Sequence, residues 1–299
     1  MDRVTDLNQG PQSLLALRSS QDMLRAFALV REGRLFDLER VRYPHMPAQG
    51  PAHVPLQVTA YRTPRGIQVQ DDQKWMGENN VNFNWMSEVI NSSAHCGAHI
   101  DSLAHATAGP DNHWFGGSTA DKDLGDFGPL THDASQIPPV ITKGVLIDIP
   151  ALKGIDALPA HAAITAGDVK AALARQNTVL QPGDIALIRT GQLDGWPNEK
   201  FIAEHELSGI DHGAAVYLAD QGVVAIGSDG PCVENLPSST EGNPHPVHIE
   251  LLIERGIFIL EMVDTIEIAR KGIYEFCFIA LPLKIKGATA SMIRPVAIV

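Results

Sequence analysis

Apolar positions recur at helical spacing from Ser20 to Glu32, through Met23, Leu24, Phe27, Ala28 and Val30, and Gly33 follows as a stop signal. The spacing predicts a helix there and a strand over Leu35–Val41. From Tyr43 to Gly66 proline and polar residues dominate, which predicts a long loop lying over the body. Farther along, β-rich runs alternate with helical patterns. Gly144–Ile149 reads as a strand, and Thr165 opens a helix to Gln176 with Asp168 placed to complete a capping box. Pro182-Gly183 turns the chain into a strand over Asp184–Thr190. A helix over His212–Gln221, a strand over Val223–Ser228, a helix over Val247–Arg255 and a strand over Ile257–Val263 follow. Phe276–Lys284 and Ile293–Ile298 complete the β content. No internal repeat, low-complexity tract or linker interrupts this order. It predicts an α/β (mixed α+β) fold with a central mixed sheet. The 299 residues fit one large domain over 35–299, preceded by a helical extension over 1–34.

Composition narrows the class. Apolar residues make up 44% and charged residues 19%, enough for an ordinary core. The net charge of −12, without a basic stripe, argues against nucleic acid or an anionic membrane surface as partner. No run has the length of a membrane span or the apolar core of a signal peptide, so the expected setting is cytoplasmic. Three cysteines without C-x-x-C spacing indicate neither a disulfide framework nor a cysteine zinc site, and Cys277 reads as a core residue.

Histidine distribution adds the chemistry. Four of the 12 histidines lie between His95 and His113. The run His95-Cys96-Gly97-Ala98-His99-Ile100-Asp101-Ser102-Leu103-Ala104-His105 places three imidazoles and a carboxylate close together. In a straight strand His95 and His99 would stand about 13 Å apart, too far to meet one ion with bonds of about 2.1 Å. A curl at Gly97 and Ala98, followed by extended chain that puts His99 and Asp101 on one face, would bring all three to one ion. Two imidazoles and a carboxylate suit Zn²⁺, Mn²⁺ or Fe²⁺ and leave open positions, which favours catalysis over a structural role. His105 suits proton transfer near neutral pH, or a further ligand position.

A second cluster comprises His245, His248 and Glu261, the last inside an apolar run where a carboxylate is costly unless paired or on a metal. Phe83, Trp85, Trp114 and Phe115 flank the histidine segment in sequence and are expected either to clamp a flat cyclic substrate or merely to pack. Ser228 and Asp229 either contact substrate or build a turn.

The histidine segment resembles the signature H-x-G-[TS]-H-x-D-x-P-x-H of the cyclase-type metal-dependent hydrolases, a family that includes bacterial kynurenine formamidase and isatin hydrolase. His95, Gly97, His99, Asp101 and His105 match it, whereas Ala98 and Leu103 depart from it. Leu35-Phe36-Asp37-Leu38, His45-Met46-Pro47, Gly183-Asp184, Arg189-Thr190-Gly191, Ile259-Leu260-Glu261 and Leu281-Pro282-Leu283-Lys284 extend the resemblance over most of the chain from Leu35. Stretches around Trp75 to Trp85 and Asp111 to Asp126 look like insertions. The resemblance implies a swivelling β/β/α fold, a homo-oligomer (dimer or tetramer), and one or two Zn²⁺ or Mn²⁺ ions on His95, His99 and Asp101. It implies His105 as the proton-transfer residue, with His248 and Glu261 completing a second ion position or orienting water.

The expected reaction is attack of activated water on a small cyclic amide, lactone or formamide. A non-haem iron oxygenase using His99, Asp101 and His248 is one alternative. A non-catalytic metal or small-molecule binding protein is another. A serine hydrolase is disfavoured because no G-x-S-x-G elbow is present.

Overall fold

Near-continuous aliphatic runs such as Val145-Leu146-Ile147 and Ile185-Ala186-Leu187-Ile188 leave no polar face, and all of these side chains are fully buried. Such runs form strands covered on both sides, the situation of a parallel sheet centre. The computed structural model describes residues 12–17, 19–47, 53–73, 75 and 77–299. The start of the expected extension and positions 48–52 of the expected long loop lie outside them. Strands of three or more residues are, in chain order, β1 Leu35–Asp37, β2 Gln57–Arg62, β3 Ser87–Asn91, β4 His99–Asp101, β5 Val140–Asp148, β6 Ile185–Arg189, β7 Ala225–Ser228, β8 Phe258–Glu261, β9 Glu275–Ala280, β10 Ala290–Met292 and β11 Val296–Ile298.

Nine of these form one mixed sheet in the order β1-β11-β9-β5-β6-β7-β8-β4-β10. The central four, β5 to β8, are parallel, and every other pairing is antiparallel. This is the α/β architecture with a central mixed sheet that the sequence predicts. The longer α-helices are α1 Ser20–Phe27, α2 Pro64–Gln70, α3 Ala166–Gln176, α4 Glu199–Glu204 and α5 His212–Asp220. Helix α3 begins at the expected capping box: the Thr165 side chain accepts from the Asp168 N–H, and the Asp168 carboxylate accepts from Thr165. It buries Val169, Ala172 and Leu173, and packs beside α5, which buries Ala214, Ala215 and Leu218. Helix α1 lies against β5 and β9. Its Arg25 is tied to the body through Asp184 at 2.7 Å and the Pro182 carbonyl at 3.0 Å.

Several expected boundaries move. The first strand ends at Asp37, because Arg40 turns to pair with Asp264 at 2.8 Å and Arg42 turns toward the histidine segment. The segment expected as one long loop contains β2 and the start of α2. Among the described residues, strands β2 and β3 pair only with each other, forming a hairpin arm whose side chains are largely exposed. The helix expected over Val247–Arg255 is one α-turn, Pro246–His248, continued by a π-helix over Ile249–Glu254. The strand expected over Phe276–Lys284 stops at Ala280, before Leu281-Pro282.

Candidate metal centre

The histidine segment leaves β3, curls, and enters the sheet as β4. Gly97 takes φ +64° at the curl, and a Cβ there would lie 2.6 Å from Arg42 Nε and 2.9 Å from Glu39 Oε1. Only glycine accommodates both the left-handed backbone and this close approach. The Arg42 guanidinium donates to the carbonyls of Cys96 (2.9 Å), Ala98 (2.7 Å) and Ile293 (2.9 Å) and pairs with Glu39 at 3.1 Å. Burial pushes the Glu39 carboxyl up to about 8, with Arg42 acting in the opposite sense. The curl is therefore held by the protein's own hydrogen bonds.

Beyond it, β4 runs antiparallel to β8 with His99 directly opposite Glu261 and Asp101 opposite Ile259. That register joins residues more than 150 positions apart. His99 Nδ1–H donates to the Gly97 carbonyl at 2.8 Å, which fixes the ring and turns Nε2 inward. This Nε2 lies 3.3 Å from Glu261 Oε2 and 3.6 Å from Asp101 Oδ1. His95 Nδ1 lies 2.9 Å from Asp101 Oδ1 but is not aligned for a hydrogen bond. The His95 ring lies 4.3 Å from that of His105, centroid to centroid, and stacks on His53 at 4.8 Å.

His248 enters from the far side, its Nε2 3.7 Å from Glu261 Oε1. Its Nδ1–H donates a short hydrogen bond to Glu234 Oε1, which also accepts from His245 Nδ1 at 3.0 Å. The other Glu234 oxygen accepts from the Val247 N–H at 3.1 Å. Glu234, 1% exposed, thus orients His248 in the manner of a carboxylate behind a metal-binding imidazole.

The electrostatics call for positive charge at the centre. Burial opposes protonation of His99, but Glu261 and Asp101 outweigh it and hold the imidazole up at about 9. Burial likewise opposes protonation of His248, and Glu234 above all holds it up at about 9. Burial would raise Asp101, yet His105, His95 and His99 hold its carboxyl well below the usual range. His105 goes the other way: burial pushes it down to about 4, with Asp101 acting against the shift, so its ring is neutral near pH 7.

The donor set fits a divalent cation. His99 Nε2 and both oxygens of Asp101 are buried without a hydrogen-bond partner, a costly state unless something else satisfies them. Among the described residues, three groups hold donor atoms within 4.8 Å of one another: His95, Asp101 and His105; His99, Asp101 and Glu261; and Cys232, Glu234, His245 and His248. The first two share Asp101. His95, His99, Asp101, His105 and Glu261 thus lie in the two groups that share Asp101, and His248, in the third, borders them through its 3.7 Å approach to Glu261.

A cavity of about 770 Å³ opens onto this cluster. It lies at the carboxyl ends of β6, β7 and β8, where open α/β sheets bind their ligands. Phe83, Trp85, Trp114 and Ser228 do not line it. Phe83 and Trp85 stand at the hairpin arm, where Trp85 packs on Trp75, Phe83 and Arg62. Trp114 is 3% exposed and donates to Thr131 Oγ1. Ser228 accepts from the Gly230 N–H at 3.1 Å and builds the turn after β7. The expected aromatic clamp is not assembled within one chain, because closeness in sequence to the histidine segment does not carry into space across the curl and the arm. Glu234, Arg42, Gln192 and His53 escaped the sequence reading. Glu234 lies in an aperiodic Pro- and Ser-rich stretch, and its buried carboxylate has no apolar run to betray it.

Comparison with known proteins agrees with this geometry. The Cyclase family model ("Putative cyclase") matches residues 36–235, and the chain belongs to that family. None of the curated proteins matches it. A crystal structure described as a novel cyclase is 24% identical, with 96% of this chain and 94% of that chain covered and a TM-score of 0.82. Isatin hydrolase A from Labrenzia aggregata is 18% identical, with coverages of 93% and 98% and a TM-score of 0.64. The "predicted metal-dependent hydrolase" from Bacillus stearothermophilus is 20% identical, with coverages of 88% and 97% and a TM-score of 0.53. At these identities the likeness is one of fold. Among the described residues no helix is long and apolar enough to cross a membrane.

Proposed function

We propose that the protein is a metal-dependent hydrolase that opens a C–N or C–O bond in a small cyclic amide, lactone or formamide. The observation that carries this reading is the pair of donor groups sharing Asp101, with unsatisfied buried atoms, on the floor of a cavity of small-molecule size. His95, His99, Asp101 and Glu261 would hold Zn²⁺ or Mn²⁺, with His248 beside them. When bound, a divalent cation supplies an activated water and polarises the scissile carbonyl. His105, neutral before reaction, accepts a proton and passes it to the departing nitrogen or oxygen. Relatives described as isatin hydrolases support a cyclic amide as the first substrate to try. A cytoplasmic setting belongs to the same reading, since the three cysteines are buried and form no disulfide.

The test is a panel of cyclic amides, lactones and formamides, assayed with metal-loaded and chelator-treated protein in the absence of oxygen. Ring opening or deformylation should be lost with the metal and return with Zn²⁺ or Mn²⁺. Turnover that requires oxygen would point to an oxygenase, and retained metal without turnover of any compound to a binding protein.

The homo-oligomer implied by the family resemblance is proposed to form through the hairpin arm, which exposes Val58, Tyr61, Val89 and Ile90. A lone two-stranded hairpin is marginal in water, and its apolar side chains favour cover. Light scattering should give a dimer or tetramer for the wild type and a monomer for the Val89→Asp, Ile90→Asp double variant. A monomeric wild type refutes the proposal.

A further inference from the structure

The third donor group contains a thiol that the hydrolase reading does not use. Cys232 and Glu234 lie two residues apart on the segment that bridges to Ile210 in the parallel sense, a spacing that turns both side chains to one side. The segment is pinned from two directions. Ile210 N–H donates to the Val233 carbonyl at 3.0 Å and Asn235 N–H to the Ile210 carbonyl at 3.3 Å, while Val233 N–H donates to Glu261 Oε1 at 3.0 Å. His245 arrives from farther along the chain, just before the α-turn Pro246–His248, with its N–H held by Asn243 Oδ1 at 3.1 Å. Sulfur, carboxylate and imidazole donors thus come within 4.8 Å of one another without any C-x-x-C spacing.

Ligand atoms around one tetrahedral ion, with bonds of about 2.0 to 2.3 Å, stand about 3.3 to 3.7 Å apart, so the group closes by roughly 1 Å where it is widest. His245 Nδ1 is already 3.0 Å from Glu234 Oε1 and shares a proton with it. An ion takes the place of that proton at small cost, because the His245 side chain is half exposed and carries its hydrogen on the outer nitrogen instead. Burial works against ionisation of Glu234, but the bonds from His245 and His248 hold its carboxyl down at about 2, so the acid is a carboxylate at neutral pH. Burial above all, with Glu261 and Glu234, keeps the Cys232 thiol well above its usual range, and contact with a soft cation deprotonates such a thiol outright. Cys232 and His245 both line the cavity of about 770 Å³, in which no lysine or arginine competes for the site.

We propose that Cys232 Sγ, Glu234 Oε1 and His245 Nδ1 form a second metal position, separate from the catalytic one, that takes a soft divalent cation such as Zn²⁺ or Cd²⁺ with a cavity water as fourth ligand. On binding, the thiol proton leaves to solvent. His248 stays outside the new position, since its Nδ1–H goes on donating to Glu234 Oε1 while its Nε2 faces Glu261. The two positions are therefore joined through one imidazole and are filled together. Sulfur separates them chemically: the catalytic donors are nitrogen and oxygen, which suit Mn²⁺, whereas a thiolate selects softer ions. The second position is the weaker, because a hydrogen bond is surrendered there and one ligand is half exposed, so it fills when metal is added. None of this depends on turnover.

The test titrates Cd²⁺ into protein already loaded with Mn²⁺ and kept reduced with a phosphine. A cadmium–thiolate bond has an ultraviolet charge-transfer band that nitrogen and oxygen ligands do not produce, so Cd²⁺ that enters the catalytic centre is silent. The wild type should develop this band to saturation. Cys232→Ser should abolish it and bind one Cd²⁺ fewer per chain at the concentration that saturates the wild type. His245→Ala, at a half-exposed position, should keep a band but require about tenfold more Cd²⁺ or higher to reach it, at least the cost of losing an outer partner of a metal site. Thermal melting of each variant without added Cd²⁺ confirms that it is folded, and His245→Ala carries the test alone if serine is not tolerated at the buried position.

Absence of the band in the wild type at millimolar Cd²⁺ overturns the proposal. So does a band that persists in folded Cys232→Ser, which would place the ion on Cys96 or Cys277, or an unchanged Cd²⁺ affinity in His245→Ala, which would leave a lone thiol as the only ligand. Because the readout is spectroscopic, a protein that opens no ring still shows the band, and a hydrolase that lacks the band remains a hydrolase.

Discussion

His99→Ala should emerge from purification without its metal and without measurable hydrolysis, whereas His105→Ala should retain the metal and lose turnover by about 10²- to 10⁴-fold, the usual worth of a general acid or base. The contrast follows from how the two rings are held. His99 is 2% exposed, its Nδ1 is committed to the Gly97 carbonyl, and its Nε2 stands between Asp101 and Glu261 with nothing else to bond. Alanine there leaves two buried carboxylates facing each other without a nitrogen donor between them, a state costly in its own right. His105 belongs to the group with His95 and Asp101 but is kept neutral by burial, as a proton acceptor requires. Metal content by elemental analysis, read beside kcat, separates the roles. Equal metal loss in both variants would move His105 from proton transfer into the ligand set. Unchanged kcat in His105→Ala would remove it from the chemistry altogether.

Glu234 is expected to matter almost as much, although it touches no substrate. Its carboxylate accepts from His248 and His245 and from the Val247 backbone, so one buried group sets the ring orientation and the start of the helical segment that carries it. Replacing such a carboxylate behind an imidazole ligand commonly costs about 10- to 100-fold in metal affinity. Glu234→Gln, which retains an acceptor but not the charge, should weaken Zn²⁺ binding in chelator competition toward the lower end of that range, and Glu234→Ala toward the upper end. Thermal unfolding of the metal-free variants provides the control. If metal-free Glu234→Gln melts as the wild type does but binds Zn²⁺ equally well, His248 contributes nothing to the ion.

Much of this arrangement was legible before any coordinates. The aliphatic runs of β5 to β8 admit only buried strands, and the Thr165–Asp168 pair marks the start of α3 to the residue. The curl-then-strand geometry follows from Gly97 and from the reach of two imidazoles, and the structure shows it. What escaped depends on distant pairing. Nothing local to Glu261 shows that it will lie across from His99, since that is a property of the β4–β8 register. The hairpin arm was hidden because Val58 and Tyr61 lie in a segment rich in proline, and neither strand buries a face to impose a strong alternation. Phe83, Trp85 and Trp114 illustrate the limit of proximity along the chain. The arm carries the first two away from the cavity, and hydrophobic packing draws the third inward.

The guanidinium of Arg42 has a further consequence. Three carbonyl oxygens, two from the curl and one from the residue after β10, converge on a single side chain, so the ligating loop acquires its shape as the polypeptide folds. Loading then resembles a key entering a finished lock, in contrast to small zinc modules, which are built around their ion. Stripping the cation from such a site should therefore leave a vessel ready to be refilled.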